Sequence, residues 1–265
     1  MDAIVQFKDQ QKAMWSGFSV LEAVTGTTAP RLVRFAGITK GADVLDVACG
    51  TGVVALTAAR AGARVTGVDL TPSLIERAKE NAALMHLEAS FCEGDAEALP
   101  VPDGTFDVVV SQFGHMFAPR PEVALKEMLR ALKPGGTLAF ATWPPELFVG
   151  RMFALMARYA PPPPAGVSPP VLWGDVAVVR ERLGSAVRNV TFARDRMTLQ
   201  TLSPQHYRAF METSFGPASK LLPALDASDP PKAATLRREL EELAGTYFED
   251  NAIQQDYLLT RATKV

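Results

Sequence analysis

Hydrophobic positions follow two alternating periods over the first half of the chain. Asp43–Val47, Arg64–Val68, Leu87–Cys92, Phe106–Ser111 and Thr137–Thr142 are short runs of strand length, the fourth of them (FDVVVS) nearly unbroken by polar residues. Such a run suits a strand covered on both faces. Between these runs the apolar spacing is helical. Val53–Ala61 is alanine-rich, Thr71-Pro72 opens a stretch with Leu74, Ile75, Ala78 and Ala82 on one face, and Pro121–Leu132 aligns Leu125, Met128, Leu129 and Leu132. Thr71 is placed to cap its helix, and Lys133-Pro134-Gly135-Gly136 to stop the one before it. Strands alternating with helices of this length imply an α/β fold with a mostly parallel sheet and right-handed crossovers.

The flanks are less regular. Residues 1–40 mix Phe7, Met14, Trp15, Phe18 and Leu21 with polar positions and read as one or two helices. After Trp143, helices are expected at 147–159, 175–183, 203–215 and 232–248, the last with Leu236, Leu240, Leu243 and Tyr247 on one stripe. A sixth strand is expected within 187–199 and a seventh at 257–262. Residues 161–170 hold six prolines in ten and must be extended. The expectation is one domain: N-terminal helices at 1–40, a core at 41–143, cap helices with the sixth strand at 144–254, and a final strand at 255–265.

Composition narrows the class. The 265 residues are 48% hydrophobic and 21% charged, and 27 Lys and Arg against 29 Asp and Glu leave a net charge of −2. No basic excess steers the protein to nucleic acid. No run reaches the length of a membrane helix, and MDAIVQFKDQQK lacks the apolar centre of a secretion signal. Two cysteines exclude a disulfide framework and a four-thiolate zinc site, and no His/Cys/Asp spacing suggests another metal. A cytoplasmic protein acting on a small molecule, without membrane insertion, is expected; oligomeric state is open.

The chemistry concentrates in Val44–Gly52 (VLDVACGTG). A strand delivers Asp46, small residues Ala48, Gly50 and Gly52 occupy alternate turn positions, and a helix begins, offering free N–H donors to a nucleoside. Gly50–Ala55 also fits the dinucleotide pattern G-x-G-x-x-A. Asp46 separates the two ligands. A pyrophosphate beside its carboxylate would meet repulsion on the order of several kcal/mol, whereas the ammonium and sulfonium of S-adenosylmethionine (SAM) would be attracted. Asp69, ending the second strand, is positioned for ribose hydroxyls, a feature common to both ligands. Asp95 after the third strand can accept from an adenine amino group.

VLDVACGTG, VTGVDLTP, EGDAEALP, FDVVVSQFG and EMLRALKPGGTLAF occur in that order over residues 40–143. The chain resembles the class I SAM-dependent methyltransferases, and within them the group related to ubiquinone/menaquinone-biosynthesis methyltransferases. The resemblance implies a Rossmann-like seven-stranded sheet with a helical cap. It also implies that Asp46, Ala48 and Gly50 line the methionine part, that Asp69 holds the ribose with Leu70 against the adenine, and that Asp95 and Ala96 bind the adenine edge. Gln112 would meet the methionine tail or the substrate, and Trp15 would close over the cofactor. The family turn usually begins with glycine where this chain has Ala48.

Methyl transfer is a direct displacement, so the protein mainly aligns the reactants in a dry cavity. A base, if used, is expected at His115, in the segment after the fourth strand. His86 and His206 are expected to be structural or at the surface, Cys49 and Cys92 to be chemically silent, and Tyr159 and Tyr207 are possible pocket residues. The acceptor is expected to be small and partly apolar. Two other functions fit parts of the pattern: a non-catalytic SAM-binding scaffold or sensor, and an NAD(P)-dependent oxidoreductase.

Overall fold

The computed structural model describes residues 3–265; Met1 and Asp2 lie outside the described residues. Five strands, β1 (Asp43–Val47), β2 (Arg64–Asp69), β3 (Ser90–Glu93), β4 (Phe106–Gln112) and β5 (Leu132–Thr142), pair in parallel in the order β3-β2-β1-β4-β5. The helices α4 (Val53–Arg60), α5 (Pro72–Leu84) and α6 (Pro121–Ala131) cross between them. Val44, Leu45 and Val47 on β1, Val109 and Val110 on β4, and Leu138 and Ala139 on β5 have no measurable exposure or almost none. Burial on both faces is why these segments read as continuous apolar runs. Removing each of these Val and Leu side chains from water contributes about 1.5–3 kcal/mol before entropy is counted.

The sheet continues past β5 with reversed direction. β8 (Ala252–Lys264) lies antiparallel between β5 and β6 (Val187–Gln200), and the two-residue β7 (Phe248–Glu249) pairs with β8. The sheet therefore has eight strands rather than seven. A two-residue strand buries too little to leave a hydrophobic pattern, which is why the sequence conceals it. β8 starts at Ala252, earlier than Tyr257, and β3 occupies 90–93 rather than 87–92.

Three helices, α1 (Ala3–Trp15), α2 (Glu22–Gly26) and α3 (Ala29–Ala36), precede the sheet. α7 (Phe148–Ala157), α8 (Val176–Leu183), α9 (Pro204–Ser214), α10 (Gly216–Ser228) and α11 (Pro230–Gly245) follow it. α10 carries Pro217 in its first turn, where proline is well tolerated, and Pro223 inside it, which removes a backbone hydrogen bond and discourages a helix. Burial of Ala218, Leu222 and Leu225 against the cap overrides that local cost. Leu236, Leu240 and Leu243 are buried on α11 as their spacing requires, whereas Tyr247 lies beyond its end. Asp175, Ser203 and Asp229 cap α8, α9 and α11 through side-chain oxygens. Thr71 makes no such cap on α5; its own N–H donates to Asp69 Oδ1 at 2.9 Å.

Candidate active site

Strand order reverses direction of progress at β1, with β2 on one side and β4 on the other, and a ligand crevice is expected beyond the C-terminal ends of such neighbours. There the chain leaves β1 with Ala48, Gly50 and Gly52 at φ of +54°, +55° and +82°. Left-handed backbone at alternate residues makes the turn. Ala48 adopts it with a Cβ, at a cost of about 1–2 kcal/mol. The same methyl group explains Gly114. A Cβ at position 114 would lie 2.5 Å from Ala48 Cβ and 2.6 Å from the Ala48 carbonyl oxygen.

Asp46 sits beneath this turn. Its Oδ2 accepts from the Ala55 N–H at 3.0 Å, while Oδ1 is buried with no hydrogen-bond partner among the described residues. Burial, reinforced by the charge of Asp69, pushes the carboxyl up to about 8. Asp69 accepts the Gly50 N–H at 2.8 Å as well as that of Thr71, and burial raises its carboxyl too. The ribose candidate therefore also ties the first turn to the second. A carboxylate oxygen has two lone pairs, so these bonds leave it capacity for a ligand hydroxyl.

Asp95 is held from both sides. Its Oδ1 accepts the Glu97 N–H at 2.8 Å and its Oδ2 accepts from Lys8 Nζ at 2.6 Å. The same ammonium donates to Glu97 at 2.6 Å, and the buried Glu97 also receives the Arg120 guanidinium at 2.7 and 2.9 Å. Lys8 thus fastens α1 over the third strand's end, and an adenine amino group must share Asp95 with it. Gln112 donates through Nε2 to the Thr25 carbonyl at 2.9 Å and leaves a buried Oε1 without a partner among the described residues. Trp15 meets Phe18, Phe117 and Phe215 at ring-centroid distances of 5.7, 4.7 and 5.8 Å.

One cavity brings these groups together. Asp46, Ala48, Gly50, Asp69 and Leu70 line one side of it, Asp95 and Ala96 the next, and Gln112 and Trp15 face it from β4 and α1. His115 is not among the lining residues. Its ring is buried between Phe140 and Trp173, at 4.7 and 4.8 Å, with neither nitrogen hydrogen-bonded among the described residues. Burial lowers it to about 3, so the ring is neutral near pH 7. The expectation of a base at His115 is corrected: the short helical turn after β4 points this side chain into the core.

Of the two tyrosines, Tyr207 lines the cavity, its hydroxyl donating to Met152 Sδ at 3.6 Å. Tyr159 lies elsewhere and donates to Glu239. Of the cap's apolar residues, Met152, Phe153, Met211 and Phe215 reach the cavity, whereas Phe148, Met156, Trp173 and Phe210 pack outside it. Sequence reasoning missed Lys8, the stacked Phe113–Trp143 pair and Gln255. Gln255 had a legible signal: it shares a strand face with Ile253, Tyr257 and Leu259, all buried, so a polar residue there faces inward. Among the described residues no group of three or more His, Cys, Asp or Glu could hold a metal, and no helix is long and apolar enough to cross a membrane.

Residues 45–140 match the family described as a methyltransferase domain. An uncharacterized protein of Mycobacterium tuberculosis is 37% identical over 257 residues, covering 96% of this chain and 93% of that one. The chain belongs to the SAM-dependent methyltransferases. That family is in keeping with the SAM reading of the glycine turn rather than the dinucleotide one. The methyltransferase is also 40% identical over 137 residues to a demethylmenaquinone methyltransferase of Staphylococcus aureus, covering 50% of this chain and 56% of that enzyme. It shares its fold with the YcgJ protein from Bacillus subtilis, at 20% identity and a TM-score of 0.60, over 90% of this chain and 98% of that one.

The polar groups fit a zwitterionic nucleoside. Two buried oxygens without partners among the described residues, Asp46 Oδ1 and Gln112 Oε1, belong to lining residues and suit a cation or a donor. Orphaned buried acceptors are costly unless a ligand donor completes them.

Proposed function

We propose that this methyltransferase binds SAM along the ends of β1 to β4 and methylates a small, partly apolar organic acceptor by direct displacement. The observation that carries the reading is the division of one cavity into two chemistries. Its strand-end side presents Asp46, Asp69, Asp95 and Gln112; its cap side presents Phe153, Met197, Leu199, Met211 and Phe215. When bound, SAM supplies an electrophilic methyl group on a sulfonium.

The chain's residues then have separable tasks. Asp46 and Gln112 would receive the α-ammonium, Gly50 and the narrow Ala48 turn would lie along the methionine part, and Asp69 would take ribose hydroxyls. Leu70 would lie against the adenine, with Asp95 and Ala96 at its edge and Lys8 beside Asp95. Trp15, anchored by its N–H to Gln11 Oε1 at 2.6 Å, would roof the pocket and exclude water. No cap-side residue is a base near neutral pH: burial raises Tyr207 strongly, and no histidine lines the cavity. Alignment and desolvation therefore carry the rate. Two free cysteines fit a reducing, cytoplasmic setting.

Calorimetry with S-adenosylhomocysteine (SAH), SAM and NADH tests the cofactor assignment. SAH should bind and NADH should not; NADH binding without SAH binding overturns it. A methyl-transfer screen over phenols, quinols, amines and carboxylates then reads the acceptor class, with apolar members favoured.

A further inference from the structure

Buried polar atoms without partners gather in a second place, away from the cofactor cavity. Among the described residues seven buried side-chain nitrogen or oxygen atoms have none, and Asp46 and Gln112 supply only one each. Four belong to His115, Trp173 and Arg182: both imidazole nitrogens, the indole Nε1 and the guanidinium Nη1. These side chains form one stack. The His115 and Trp173 rings lie 4.8 Å apart, and the Arg182 guanidinium carbon is 4.7 Å from the Trp173 ring centroid. None of the three lines the cofactor cavity. The stack sits beneath the proline-rich segment, where Arg182 Nη2 donates to Ser168 Oγ at 2.9 Å and the Thr142 hydroxyl donates to the Trp173 carbonyl at 2.8 Å.

Charge balance identifies the missing partner. Arg182 makes no ion pair among the described residues; its nearest negative neighbours, Glu122 and Glu181, are exposed and act only from a distance. Burial lowers Arg182 from its ordinary value, and the neutral His115 adds no charge of its own. A water molecule would complete the two rings but leave the guanidinium charge uncompensated, whereas an anion does both. One cation balances one negative charge, which excludes a dianion. We propose that Arg182 and Trp173 hold a small monoanion, a halide or a carboxylate, beside His115. The anion braces residues 161–174 against the sheet. That segment backs the cavity wall: Gly174 packs so closely on the Trp143 carbonyl that a Cβ would not fit, and Trp143 lines the cavity. The site stands whether or not the cofactor reading does.

The test uses the full chain without cofactor at pH 7, with sodium bromide and sodium formate as probes, and reads the thermal unfolding midpoint. At ten times the dissociation constant a bound anion should raise the midpoint by about 3–6 °C. Arg182→Met should lose that rise and keep only the general response to salt. A rise with bromide alone assigns a halide, a rise with formate alone a carboxylate, and a rise with both a site open to either. Crystals soaked in each salt give a second reading that needs no variant: the anion that stabilises should appear beside Trp173 Nε1 and Arg182 Nη1, bromide through its anomalous signal. Equal midpoint shifts in parent and variant overturn the proposal. So do soaks that place both anions elsewhere on the surface, an adventitious ion only. If the variant does not fold, the soaks decide.

Discussion

The two halves of the cavity are built by different means. The strand-end half comes from loops after β1, β2, β3 and β4, which parallel pairing brings side by side whatever the rest of the chain does. The cap half is assembled from Trp15, Phe117, Met152, Met197, Met211 and Gln255, drawn from segments far apart in sequence. The first is polar, tightly hydrogen-bonded and strained at Ala48. The second is largely apolar. The contrast teaches that cofactor chemistry is written into consecutive turns, whereas acceptor chemistry depends on how the cap folds back.

The strongest way to break this comparison is through the turn that anchors the polar half. Asp69→Ala removes the acceptor of the Gly50 and Thr71 N–H groups and the proposed ribose contact. It should weaken SAH binding by about 2–3 kcal/mol while leaving apolar ligand binding in the cap half intact. An unchanged SAH dissociation constant by calorimetry would separate Asp69 from the cofactor. Gly114→Ala should be comparably harmful, costing about 1–3 kcal/mol, because neither the Ala48 methyl nor its carbonyl can retreat. Thermal unfolding with and without SAH reads this, and an unshifted midpoint would contradict the close approach.

Asp46 gives a pH test of the same half. In the ligand-free fold its carboxyl titrates near 8, against an ordinary 3.8. A raised value means that its contribution to stability is complete below about pH 4 and is lost as pH rises through 8. An ammonium beside it favours the ionised form. SAH binding at pH 7 should therefore release close to one proton, and affinity should rise by up to about tenfold per pH unit between 5 and 7.5. Calorimetry in buffers of different ionisation enthalpy measures the release; no net release would place the ammonium elsewhere.

Smaller effects sharpen the boundary between the site and the core around it. His115→Phe replaces a buried ring with two unpartnered nitrogens by an apolar one. Turnover and SAH affinity should hold, and stability in buffer free of small anions should rise by about 1 kcal/mol. A fall in turnover at constant SAH affinity would return His115 to catalysis. Ala48→Gly relieves left-handed strain at the entrance to the turn, and its net gain should be below about 1 kcal/mol once glycine's extra entropy is counted. A destabilised variant would mean that the Ala48 methyl packs usefully against Gly114.

The sequence by itself determined the alternation that makes five parallel strands, the turn at 48–52, and the three acids at strand ends. These are local patterns: a doubly covered strand must be apolar throughout, a left-handed turn selects small residues, and each acid lies at or just past the end of its own strand. Only the tertiary structure decided that α10 forms despite Pro223, that His115 turns inward rather than toward the cavity, that Lys8 reaches Asp95 and Glu97, and that Gln255 lines the cap half of the cavity. Those outcomes depend on packing between segments separated by tens to hundreds of residues, and burial there outweighs the propensities that a local reading can see.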